Sequence, residues 1–151
     1  MTPQELNNKL DKAAPAIAEA LSKLELRAAQ TAFGILTLRV FTGTGGAKDT
    51  RGRNLKPYSK GYAKFRENYP GGRQTDVKDL QLTGQLFKSV DVGTKNGKPA
   101  MGFTNELASN KADWQEKQNK TVIFALSAEE KDRVVDEAKT QVIEELRKLW
   151  R

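Results

Sequence analysis

Between Lys56 and Tyr69 the chain reads KPYSKGYAKFRENY, so that Tyr58, Tyr62, Phe65 and Tyr69 alternate with Lys56, Lys60, Lys64 and Arg66. Flat rings interleaved with cations can stack bases and hold phosphates. The four aromatics are also spaced four, three and four residues apart, which puts them on one helical face, and such a face serves equally well as core or as a protein interface. The flanks extend the theme. Over Lys48–Asp76 the cations Lys48, Arg51, Arg53, Lys56, Lys60, Lys64, Arg66 and Arg73 outnumber the anions Asp49, Glu67 and Asp76. The chemistry on offer is therefore a nucleic-acid grip or a docking surface for protein.

Other chemistries find little to work with. The chain has no His and no Cys, which removes the commonest general base, the thiol nucleophile and the usual zinc ligands. The glycine-rich GTGGAKDT at Gly43–Thr50 does not have the spacing of a phosphate loop, which needs two glycines separated by four residues, then Lys and Ser or Thr, between a strand and a helix. Glu129, Glu130 and Asp132 fall in a helix's first turn, where negative charge complements the dipole. Asp76 and Asp79, beside cations, read as turn and cap residues. No catalytic, metal-binding or cofactor-binding residue is nominated, and an enzyme is not expected.

The elements that must carry these residues can be read in order. TPQE at Thr2–Glu5 is a capping box with Pro in the first turn. Leu6, Leu10, Ala14, Ile17, Leu21, Leu24, Ala28, Ala32, Ile35 and Leu38 then form one stripe of a long helix ending near Val40, with a kink or break expected at Pro15. That stripe is longer than a small core can cover. Thr42 to Asp76 follows as an extended basic arm, expected to bury little apolar surface and to order on assembly, with two helical turns from Ser59 to Glu67. In LQLTGQLFKSV, Leu82 and Leu86 are four apart and are expected to share a helical face, with Gly84 on the other side allowing close backbone approach. Asn96-Gly97 between alternating apolar residues predicts a tight hairpin. NELASNKADWQEKQNK reads as a polar helix or loop holding one Trp, and TVIFAL as a buried strand. SAEE at Ser127–Glu130 opens a last amphipathic helix carrying Val134, Val135, Ala138, Val142, Ile143, Leu146 and Leu149. The expected class is α+β, with a small antiparallel sheet between long N- and C-terminal helices.

The 151 residues suit a single domain with a mobile arm at about 42–76. A net charge of +7 with 30% charged residues and a mean hydropathy of −0.68 suit a solvated protein with anionic neighbours. The longest apolar run, TVIFAL, is far too short to span a bilayer. The N-terminal residues lack signal-peptide anatomy, so no membrane partner is expected and assembly in a cytoplasm is compatible with the absence of Cys.

Two motifs add a resemblance. Leu82-Thr83-Gly84-Gln85-Leu86 followed by Ser89-Val90 is similar to the L-T-G-x-L-x-x-S-I pattern of the tail-completion, or neck, proteins of tailed bacteriophages, called virion morphogenesis proteins in Mu-like phages. Phe124-Ala125-Leu126-Ser127, running into an acidic amphipathic helix, is similar to that family's F-L-x-L-S-x-x-D/E ending. The resemblance covers about residues 55 to 150. Where many relatives carry H-x-x-G and R-P, this chain has DWQEKQNKTV, which leaves its branch of the family open.

The resemblance implies a structural virion protein, a homo-oligomeric ring at the top of the tail around the DNA channel. Its partners would be the tail terminator or head connector, with the arm's cations facing acidic protein or packaged DNA. The interface candidates are then Arg51, Arg53, Lys56, Tyr58, Tyr62, Phe65, Arg66 and Arg73 in the arm, and Leu82, Thr83, Gly84 and Leu86 in the motif. A small basic protein binding DNA without sequence preference is the competing class.

Overall fold

The computed structural model describes residues 2–149, the side chain of Leu149 excepted, and its architecture is α+β. Helix α1 spans Pro3–Thr37. Its capping box forms as the sequence requires: the Glu5 amide donates to Thr2 Oγ1 at 3.2 Å and the Thr2 amide donates to Glu5 Oε2 at 2.7 Å. The helix runs unbroken through Pro15. Pro15 and Asp11, whose carbonyl loses its partner, are both exposed, so water can take the orphaned acceptor. A single π-helical turn, Leu38–Thr42, extends α1 and buries Val40 and Phe41. Gly43 follows it in extended conformation, at a position where a Cβ would run into the Leu38 carbonyl.

Helix α2 spans Lys60–Glu67, with the Ser59 hydroxyl accepting from the Tyr62 amide at its start. Helix α3 is one turn, Gln85–Lys88. Strands β1, Val90–Lys95, and β2, Lys98–Phe103, form a two-stranded antiparallel sheet with Val90 opposite Phe103 and Val92 opposite Met101. Asn96 and Gly97 both adopt positive φ, 53° and 77°, the geometry of the tight turn that Asn-Gly predicts. Helix α4 spans Glu106–Asn119, capped by Asn105, and α5 spans Ala128–Leu149. The Ser127–Glu130 capping box closes on both sides, at 2.8 and 3.1 Å.

The core gathers at the C-terminal end of α1. Leu36, Val40, Phe41, Ala47, Leu55, Leu86, Val90, Ala108, Ala112 and Ile123 are its buried members. Phe41 meets Phe87 at 5.2 Å and Phe124 at 6.1 Å between ring centroids. Helix α5 runs antiparallel along α1. Arg39 Nε donates to Glu130 Oε1 at 2.8 Å near one end, the Thr31 hydroxyl faces Glu137, and Lys23 and Arg27 lie near Glu145 toward the other.

Four expectations are corrected. TVIFAL is not a strand. Its backbone is satisfied by other partners, since the Ile123 and Phe124 amides donate to Glu116 Oε1 at 2.8 and 2.9 Å and the Val122 carbonyl accepts from the Thr50 amide at 3.0 Å. Leu82 precedes α3, so it shares no helical face with Leu86. Gly84 is the N-cap residue of α3 at φ 73°, and its permissive backbone is what the turn requires. Residues 42–76, expected to bury little, instead contribute Ala47, Asp49, Leu55 and Arg66 to the buried set. The Ala47 amide donates to the Lys78 carbonyl at 2.8 Å and the Leu55 amide to the Ala47 carbonyl at 3.1 Å, so this segment folds back onto residues 77–78.

Candidate functional site

The basic aromatic segment is organised around one buried cation. Arg66 is 1% exposed. Its guanidinium donates to both Asp79 carboxylate oxygens at 3.0 and 3.1 Å, to the Tyr58 hydroxyl at 3.0 Å and to the Gln74 carbonyl at 3.1 Å. It also lies 4.4 Å from the centre of the Tyr58 ring, a cation–π distance. The Tyr58 hydroxyl donates to Asp79 Oδ1 at 2.9 Å and accepts from the Asp79 and Leu80 amides. Asp79 takes further bonds from Gln74 Nε2 and the Gln81 amide. Burial alone would raise the Asp79 carboxyl, but the bonds from Gln74, Gln81 and Tyr58 and the charge of Arg66 outweigh it and hold it below the usual carboxylate range. Burial pushes the Tyr58 phenol up, and the bond to Asp79 and that carboxylate's charge add to this, to about 12. This cluster joins α2 to residues 74–81.

Above the cluster lies a cavity of about 560 Å³ between α2 and α4, walled by Tyr58, Tyr62, Leu82 and Trp114 and floored by Lys78 and Asn119. Lys78 is 7% exposed, and its Nζ donates to the neutral amide oxygens Gln118 Oε1 at 3.3 Å and Asn119 Oδ1 at 3.4 Å and lies 5.8 Å from the Tyr58 ring centre. Desolvation lowers its pKa from the ordinary lysine value. Beyond the rim the aromatics continue as a ladder along α2, with centroid separations of 5.2 Å for Tyr58–Tyr62, 5.8 Å for Tyr62–Phe65 and 5.9 Å for Phe65–Tyr69. Tyr62, Phe65 and Trp114 are 40%, 51% and 57% exposed, so three large rings face solvent. Arg73 closes the far end, its guanidinium 5.6 Å from the Tyr69 ring and its Nε donating to the Leu82 carbonyl.

The structure thus unites Lys56, Tyr58, Tyr62, Arg66 and Leu82 around one cavity, with Phe65 and Arg73 on its extension. Arg66 is corrected from a surface cation to the cluster's buried centre. Leu86 belongs to the core. Thr83 and Gly84 line a second, open depression with Arg73, Gly43, Gly45 and Gly46. Gly84 has only the Lys88 side chain near its missing Cβ, at 3.9 Å.

Arg51 and Arg53 sit apart, around Asp49. The Arg53 guanidinium donates to Asp49 Oδ2 at 2.7 and 3.0 Å, and the Arg51 and Arg53 amides both donate to Oδ1. Thr121 adds its hydroxyl at 3.0 Å. Burial would raise this carboxyl, but the bonds from Arg53, Thr121 and the Arg51 amide hold it at about 2.

Lys78 and Trp114 escaped the sequence reading. The only signal for either was a lone Trp in an otherwise polar helix. Compared with family models, curated proteins and solved structures, the chain matches none.

Proposed function

We propose that the chain is a structural subunit of a tailed-phage virion, a tail-completion or neck component that assembles as a ring around the DNA channel. The reading draws on the two sequence motifs. The observation that carries it is the uncovered apolar surface of α1. Among the described residues, α1 is covered by α5 only from about Ala16 onward. Pro3–Pro15 projects beyond it by about 20 Å at the helical rise. Leu6 and Leu10 on that projection are 41% and 46% exposed, and Leu21, Leu26 and Leu38 along the helix are 44–63% exposed. Each half-exposed leucine covered by a neighbour would contribute about 1 kcal/mol, and Leu6, Leu10, Leu21 and Leu38, which share one side of the helix, suit a subunit whose neighbours complete it.

The test is genetic and visual. In the virus or prophage-bearing strain that encodes the chain, deleting its gene is expected to leave filled heads and finished tails that fail to join, and supplying the gene in trans should restore joining. A tagged copy should locate at the head–tail junction in electron micrographs. Joined, infectious particles from the deletion strain would overturn the proposal.

A further inference from the structure

The cavity between α2 and α4 carries an inference of its own, one that does not rest on the neck reading. Its floor holds a cation whose neighbours are neutral. Lys78 Nζ has two amide oxygens at 3.3 and 3.4 Å, and among the described residues no carboxylate lies within the 4.0 Å of an ion pair. A nearly buried ammonium without a counter-charge is costly to maintain, and it invites an anion from outside. The lining around it includes Tyr58, whose ring already carries the Arg66 guanidinium at 4.4 Å, together with Tyr62 and Trp114, and Gln115, Gln118 and Asn119 supply amide donors and acceptors. Beyond the mouth the rings continue at 5.8 and 5.9 Å steps through exposed Phe65 to half-buried Tyr69, flanked by exposed Lys56, Lys60, Lys64 and Arg73.

We propose that this surface binds single-stranded nucleic acid, one base entering the cavity against Tyr62 and Trp114 with an adjacent phosphate on Lys78, and the strand continuing over Phe65 toward Tyr69. Charge complementarity selects a polyanion. Exposed ring faces select unpaired bases, since every base offers a π-face and a duplex keeps its own stacked inside. The amides can meet base edges of any identity, so the site is tolerant of sequence. An acidic protein segment would satisfy Lys78 but would leave a row of exposed rings without flat partners.

Fluorescence anisotropy of the full chain with labelled oligothymidylate, with a duplex of equal length and with a polyglutamate peptide tests this. Oligothymidylate should bind more tightly than the duplex. Trp114→Ala and Tyr62→Ala, both at exposed positions, should each weaken it about 10-fold while circular dichroism stays unchanged. Lys78→Met should flatten the dependence of log Kd on log salt by about 0.7, the contribution of one phosphate contact on a single strand. Lys12→Gln, on the projecting end of α1, should lower affinity only slightly and equally for strand and duplex. Should Lys78→Met not fold, the two aromatic variants decide. Equal affinity for strand and duplex, indifferent to Trp114→Ala, would reduce the effect to the net charge and overturn the proposal. Polyglutamate binding that depends on Trp114 and Lys78, without oligothymidylate binding, would overturn it in favour of a protein partner.

Discussion

Replacing Asp79 with Ala tests the cluster that supports the cavity. Arg66 has a side chain 1% exposed, against 21% for Asp79, so the two members are not equivalent. Removing the carboxylate strands the guanidinium of a side chain that is 1% exposed. Its remaining acceptors are the Tyr58 hydroxyl and the Gln74 carbonyl. Breaking a buried pair in this way costs about 3–5 kcal/mol, a large part of the roughly 5–15 kcal/mol that holds a domain folded. Asp79→Asn keeps an acceptor oxygen but loses the charge assistance and should cost about 2 kcal/mol.

Replacing both partners by apolar residues of similar length, Arg66→Met with Asp79→Leu, removes the stranded charge. That double variant should be more stable than Asp79→Ala alone. Urea unfolding followed by circular dichroism at 222 nm gives each value, and an unchanged m confirms that the folded state is comparable. A cost below about 1 kcal/mol for Asp79→Ala, at constant m, would show that Arg66 is solvated and that the cluster does not hold α2 against residues 74–81. A double variant whose cost equals the sum of the costs of Arg66→Met and Asp79→Leu measured singly would show that the pair is not coupled as its geometry requires.

Three further outcomes are expected. The Asp49 carboxyl, held at about 2 in the fold against about 3.9 in the unfolded chain, has a depressed pKa, so its stabilisation is complete above about pH 4 and is lost as the pH falls toward 2. Asp49→Asn should therefore cost on the order of 2 kcal/mol at pH 7 in urea unfolding and flatten that acid limb. The Tyr58 phenol, pushed up to about 12, has a raised pKa, so its contribution is intact below about pH 10 and fades as the pH climbs to 12. The absorbance at 295 nm should show a tyrosinate arising that late, and Tyr58→Phe should remove it. Gly46→Ala places a Cβ 2.8 Å from Val77 Cβ at φ 88°. It should cost about 2–5 kcal/mol through left-handed strain and overpacking together and expose the Ala47 and Leu55 amides to hydrogen exchange, whereas a neutral effect would mean that residues 46–55 are not docked.

The sequence made the local rules plain. Both capping boxes and the Asn-Gly hairpin depend on residues within three or four positions of each other, and each formed as expected. Beyond the local misreadings at Pro15 and Leu82–Leu86, the errors concern partners distant along the chain. TVIFAL has a strand's composition, yet with the sheet confined to its hairpin it takes its hydrogen bonds from Glu116 and Thr50. The segment 42–76 has the glycines and cations of a solvated arm. Small and aliphatic residues scattered through it, Ala47 and Leu55, nevertheless dock on the end of α1, and positive φ at Gly45, Gly46 and Gly52 lets the chain turn sharply enough to bring them there. Glycine served the fold where its abundance had suggested freedom.

The cations show most clearly what composition hides. Arg53, Arg66 and Lys78 carry the same formal charge and stand within one basic region, yet their surroundings give them different work. Arg53 neutralises Asp49 at the surface of a loop, its side chain 58% exposed. Arg66 is consumed by Asp79, Tyr58 and Gln74, and is unavailable to any outside anion. Lys78, whose immediate neighbours are neutral amides, keeps a charge that an incoming group can still use. Helix α2 makes the same point in reverse, turning Arg66 inward while Tyr62 and Phe65 face water. Folding stability alone favours the opposite arrangement, with rings inside and the cation out. Where a short helix departs from that preference beside an open cavity, the exposed rings are best explained by what they meet outside the chain.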